Sequence, residues 1–157
     1  MEHEHASGKN HYALLLIMAV LSNVSMYVLM YAMVDRLANV YLNFNQIYMA
    51  GLMTAPMIVI EILVMGSIYQ SKRLNAVILI VSVIAALLFF GAIRNQTAVG
   101  DIQFLKSMIP HHAGALLMCN ESSVQDPEIE GLCKTIVAGQ QTEIDAMKAM
   151  LARLEKN

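Results

Sequence analysis

The chain is 157 residues long, 57% apolar and only 14% charged, with a mean hydropathy of +0.55 and a net charge of −2. That balance excludes a water-soluble domain of ordinary composition and leaves no basic surface for nucleic acid. The charges are also uneven: between Asn10 and Ile93 only Asp35, Arg36, Glu61, Lys72 and Arg73 are ionic, His11 apart, whereas the chain from Arg94 onward is dense in ions.

Residues 1–11 read as a polar tail, with His3, His5 and His11 beside Glu2 and Glu4. Such a tail chelates a divalent metal weakly at most, and a short mobile terminus is the plainer reading. Three apolar stretches follow, at 12–34, 47–69 and 75–93. Each is long enough for a hydrocarbon core of about 30 Å, which takes about 20 residues. The first lacks a small-x-small cleavage site and is expected to be retained as a span. Lys72 and Arg73 sit in the short loop between the second and third stretches. By the positive-inside rule that loop and the N-terminus face the cytoplasm, and the C-terminal part faces outward.

Methionines recur in the first two stretches: Met26, Met30 and Met33, then Met49, Met53 and Met57, with Glu61 and Met65 beyond. An ionisable residue inside a membrane is costly and usually faces a partner or a pathway. An intramembrane path through Met30, Met53, Met57 and Glu61 is therefore one expectation. The plainer one is that the methionines are ordinary apolar residues and that Glu61 bonds Asn23, Ser22 or Tyr27 on the first span.

The region 99–157 reads as a helical hairpin. Ile102, Leu105, Ile109 and Leu116 recur at three- and four-residue steps, with Pro110 expected to kink the helix. A second helix begins at Asp126-Pro127-Glu128, with Asp126 as N-cap and Pro127 in the first turn. Its expected core residues are Ile129, Leu132, Ile136, Ile144, Met147 and Leu151. With a short turn the helices are antiparallel, so His111 is level with Gln140, Met108 with Glu143 and Cys119 with Cys133. Met108, His111, Ala115 and Met118 share one stripe, and Gln140, Glu143, Met147 and Met150 share another.

These residues resemble a known family. The pattern D-x-x-F-x-x-x-M-I-P-H-H, then A-x-x-M, D-P-E and L-x-x-x-I-x-x-x-Q-x-x-E-I-x-x-M, from Asp101 to about Leu151, is similar to the bacterial domain of unknown function 305. The resemblance implies a ferritin-like helical fold and an association with copper in some members; together with the three spans, a bacterial inner membrane is the expected location. Longer members resemble two tandem hairpins, whereas this chain has one. A lone hairpin cannot bury both faces, so a homodimer forming a four-helix bundle is expected. Cys119 and Cys133 stand where alanine is more usual in the family. Their equal heights permit a disulfide in an oxidising compartment, and if reduced they would offer thiolates to a soft metal.

The fold class expected is therefore all-α, with three transmembrane helices followed by an antiparallel hairpin. The function expected is binding of copper or another soft ion, copper(I) or silver(I), for sequestration, resistance or delivery. Thioether and imidazole suit such ions, and Met108, His111, His112, Met118, Met147, Glu143 and Gln140 are the candidate ligands. Adjacent histidines diverge by about 100° on a helix, so Pro110 would have to turn His112 toward the ion shared by His111 and Met108. The bland alternative is that the methionines are core. A di-iron enzyme would need Glu-x-x-His pairs, which are absent, and no nucleophile with a base or phosphate loop is evident. No enzymatic activity is expected. A metal transporter or channel and a structural or sensory membrane module remain the rival readings.

Overall fold

The computed structural model describes the backbone from Glu2 to Lys156 and side chains from His11 onward, so the tail residues His3 and His5 lie outside the described side chains. Among the described residues the chain holds five α-helices, two short 3-10 turns and no strand. The helices are α1 (Glu2–Leu29), α2 (Phe44–Val64), α3 (Lys72–Arg94), α4 (Asp101–Glu121) and α5 (Pro127–Leu154), with 3-10 turns at Met30–Met33 and Leu37–Asn39. The chain divides into two compact units, one of residues 1–29 with 47–97, the other of residues 30–46 with 98–157.

In the first unit the helices are turned inside out. Three segments, His11–Met33, Phe44–Val64 and Lys72–Arg94, are long and apolar enough to cross a membrane, yet within an apolar 18-residue stretch of each only 11%, 28% and 6% of residues are buried inside the protein. Their leucines and valines face outward, which is compatible with an apolar surround. Small residues let the helices approach: a Cβ on Gly51 would stand 2.5 Å from the Phe89 ring.

The second apolar helix starts and stops earlier than its hydropathy suggests. Asn43 Oδ1 accepts from the Gln46 N–H at 3.0 Å and caps its first turn. At the other end a turn at Met65–Ile68 closes with Ile68 N donating to Met65 O at 2.9 Å. Glu61 thus stands in the last turn of α2, where it accepts a hydrogen bond from Tyr69 Oη at 3.1 Å. Asn23, one of its expected partners, donates instead to Thr54 Oγ1. Tyr12 Oη donates to Asn75 Oδ1 at 2.6 Å, Asn75 Nδ2 donates to Tyr69 O, and the Tyr12 and Tyr69 rings lie 5.3 Å apart. These bonds tie α1, the loop before α3 and α3 together at that end.

The second unit has an ordinary core. Leu105, Ile109, Ala113 and Leu116 of α4 close on Ile144, Met147 and Leu151 of α5, and Ile109 and Ile144 are fully buried. Val34 and Tyr41, from the segment 30–46, pack against the same cluster. One side of the hairpin is therefore covered from within the chain, by a segment whose first residues, Met30–Val34, the sequence reads as the end of the first span. Asn39 and Asn43 are buried there. Phe44 N donates to Gln103 Oε1 at 3.1 Å, Ser107 Oγ to Asn43 Oδ1 at 3.2 Å, and Arg36 Nη2 to Gln141 Oε1 at 2.9 Å. The burial argument for a second copy now applies to one face only.

Two local expectations change. The fourth helix runs unbroken from Asp101 to Glu121 with Pro110 buried inside it, so the helix does not open there. Ile129 and Leu132 are 48% and 57% exposed rather than in the core, because on α5 the buried residues, Ile144, Met147 and Leu151, all lie in the half remote from the hairpin tip. The start of α5 follows its local chemistry: Asp126 accepts from the N–H groups of Glu128 and Ile129, with Pro127 next.

Candidate metal centre

The hairpin brings His112 and Glu143 together. His112 Nε2 lies 2.8 Å from Glu143 Oε2, and His112 Nδ1 lies 2.9 Å from the Met108 carbonyl oxygen. The ring is mostly covered, with 11% of its side chain exposed, whereas Glu143 is 60% exposed. A carbonyl is only an acceptor, so Nδ1 must donate to it and Nε2 is the nitrogen presented to the carboxylate. This is how a metal-ligating histidine is usually held, with one ring N–H on a backbone carbonyl and the other nitrogen directed outward.

The register differs from simple height matching, which set Glu143 beside Met108. Helical side chains lean toward the N-terminal end of their own helix. On α5 that direction is toward the hairpin tip, so Glu143 reaches one turn further along α4, to His112. His112 leans the other way, back over Met108, and the two side chains meet.

The remaining candidates separate. His111 is exposed, its ring centroid 6.1 Å from that of His112 and at 62° to it, so Pro110 does not turn both rings to one point. Met147 is 9% exposed in the core beside Ile144, and Met108 packs partly against that core. Met118 is 60% exposed. Gln140 is half-buried on α5. Cys119 and Cys133 are joined as a disulfide, with Cα atoms 5.3 Å apart, which pins the two helices near their tip. Among the described residues no group of three or more His, Cys, Asp or Glu side chains could hold a metal ion. The methionines of the other unit do not face one interior: Met49, Met53 and Met65 are 40%, 44% and 37% exposed, and Met57 is half-buried. Met30 belongs to a 3-10 turn of the hairpin unit.

Sequence reasoning ranked His111 above His112. The signal it lacked was the partner: only packing identifies which histidine meets the glutamate. It also missed Asp35 and Arg36, which anchor the covering segment beside α5. Burial alone would raise the Asp35 carboxyl, but hydrogen bonds from Arg36 and Asn39 and the Arg36 charge outweigh it, so the group is held below its ordinary value.

A paired-helix unit with a histidine–carboxylate contact across it is the class of arrangement defined so far. The domain of unknown function DUF305 matches residues 91–151. Along most of its length the chain is also similar to "Uncharacterized protein L153" of Acanthamoeba polyphaga mimivirus, 31% identical over 142 residues, covering 88% of this chain and 91% of that protein. The chain belongs to the DUF305 family. No solved structure matches it.

Proposed function

We propose that the chain is an integral membrane protein with three spans whose outward-facing hairpin binds copper or another soft metal ion, for sequestration, resistance or delivery. The observation that carries this reading is His112. Its Nδ1 is fixed on the Met108 carbonyl, and its Nε2 confronts an acceptor oxygen of Glu143 at 2.8 Å. Two acceptors facing one ring require either a proton on each nitrogen or a cation at Nε2. A metal ion taken between Nε2 and Oε2 would satisfy both groups. Met108 and the exposed Met118 are thioethers on the same helix, and imidazole with thioether favours copper(I) or silver(I).

One chain offers too few ligands for a closed site. The uncovered hairpin face carries Phe104, His111, Met118 and Met150, all exposed. A second copy docked there would form a four-helix bundle and add its own histidines. The disulfide supports an oxidising compartment for the hairpin, consistent with Lys72 and Arg73 on the cytoplasmic side. The outward-facing Met49 and Met53 lend no support to a transport path.

The test is titration of the full chain in lipid nanodiscs with copper(I) against a chromophoric chelator. His112→Ala and Glu143→Gln should each weaken binding by roughly 10–100-fold. Absence of binding by the wild-type chain, or binding indifferent to both substitutions, sinks the reading. The full chain is needed because a fragment from Asp101 onward lacks the segment that covers the core. Labelling of a cysteine introduced at Gln70 from the cytoplasmic side alone is expected for the orientation.

A further inference from the structure

Each of the three apolar helices places a polar side chain of the pocket at mid-height. Asn23, Thr54 and Ser82 each stand within one residue of the midpoints of His11–Met33, Phe44–Val64 and Lys72–Arg94. All three line one pocket of about 330 Å³ in the first unit, open on its outer side, whose other walls are apolar and include Ala85 and Phe89. That volume lies at the lower end of the range of small-molecule sites.

The polar groups are incompletely matched. The Thr54 hydroxyl donates to Ala50 O at 2.8 Å, so it can only accept from Asn23 Nδ2, 3.0 Å away. This fixes the orientation of the Asn23 amide and leaves its carbonyl oxygen with no hydrogen bond seen among the described residues. Ser82 is 5% exposed, and no hydrogen bond of its hydroxyl is seen among the described residues, although the oxygen is not among the wholly enclosed ones that lack a partner. A serine in an apolar helix commonly bonds back to the carbonyl one turn earlier. Here that bond is not made. A free hydroxyl with no water to turn to is costly at such a depth.

We infer that this cavity is a binding site for a lipid-soluble alcohol, an apolar body with one hydroxyl group, entering sideways from the bilayer. A hydroxyl suits either open group, since it can donate to Asn23 Oδ1 and accept from Ser82. A hydrocarbon chain answers neither, and a carbonyl compound answers only Ser82. The inference rests on the membrane reading of the three helices and is independent of metal binding at the hairpin.

The experiment uses the full chain in lipid nanodiscs with a diazirine-bearing decanol as photoprobe and mass-spectrometric mapping of adducts. Adducts are expected in the segments 19–24, 51–58 and 81–89, suppressed by unlabelled decanol at least tenfold more effectively than by decane. Ser82→Ala should weaken that competition roughly five- to tenfold, and Ala85→Phe, which fills the cavity, should abolish the adducts. Leu87→Phe, at a position 66% exposed on the outer surface, should leave them unchanged. Adducts spread evenly over outward-facing residues, or indifferent to Ser82→Ala and Ala85→Phe, overturn the site and assign the space to water or bulk lipid. Cross-links between copies through the cavity assign it to a second chain and overturn it equally. Failure of membrane insertion is seen separately, as loss of the variant from the purified nanodisc fraction.

Discussion

Helix α3 and the α4–α5 hairpin are built from much the same apolar residues, used in opposite senses. On α3, Leu87 and Leu88 are 66% and 69% exposed while Ser82 is buried. On the hairpin, Ile109 and Ile144 are fully buried while Glu143 and Lys134 are exposed. The difference teaches that hydropathy reports the solvent and periodicity reports the fold. A uniformly apolar helix gains little from its neighbours beyond close packing, whereas the hairpin depends on removing a narrow stripe from water.

Truncation at the core is the most severe way to press that contrast. Ile144→Ala should cost about 2–5 kcal/mol of hairpin stability, because a fully buried side chain leaves a cavity that its neighbours cannot close. Leu87→Ala on α3 should leave stability in detergent nearly unchanged. Thermal unfolding of the full chain, followed by helical signal, checks both. Equal losses would mean that the first unit also holds together by a core, and the contrast would fall.

The disulfide comes next. It joins residues 14 apart in sequence and constrains the unfolded hairpin, so reduction or Cys119→Ala should cost about 3 kcal/mol. Only the hairpin transition should move with reductant. A shift in the unfolding of the first unit would show that the two units are coupled.

Much of this arrangement was legible in the sequence, for identifiable reasons. Asp126-Pro127 marks a helix start by local chemistry alone. Three long apolar runs name their helices, although hydropathy cannot see that Asn43 begins α2 early or that the Met65–Ile68 turn ends it. The segment 30–46 was not legible as part of the hairpin core. Its grip depends on Gln103 and Ser107, about 60 positions away, and no local pattern encodes such pairings. The same holds for His112: its neighbour His111 has identical chemistry, and only the lean of Glu143 along α5 separates them.

Asp35 tests that unforeseen cover through pH. Its folded carboxyl is held below the ordinary value of 3.8, so the stabilisation is fully present above that value and is lost as pH falls through the lowered one. Acid should therefore loosen the 30–46 segment from near pH 4 downward. Asp35→Asn should remove about 1 kcal/mol at neutral pH and flatten that acid dependence. Hydrogen exchange of the Val34–Tyr41 amides is the readout. Unchanged acid sensitivity in the variant would place the titrating group elsewhere.

The smallest effects lie at the link between the units, where Gln96 and Ala98 hold left-handed backbone, with φ of 48° and 58°. Gln96 follows the end of α3 and makes the reversal in which Thr97 N donates to Ala92 O at 3.0 Å. Glycine is the usual residue there, since a Cβ costs roughly 1–2 kcal/mol in that conformation. Glycine also loses more freedom on folding, which returns about 0.4–1 kcal/mol of the gain. Ala98→Gly sacrifices no side-chain bond and should stabilise by about 0.7 kcal/mol. Gln96→Gly gives up the bond from Nε2 to Ile93 O at 2.7 Å, so its gain should be smaller, about 0.3 kcal/mol. Ala98 belongs to the hairpin unit and Gln96 to the other, so the two gains should appear in different unfolding transitions. If both raise the same transition, the link is a structural part of one unit rather than a joint between two.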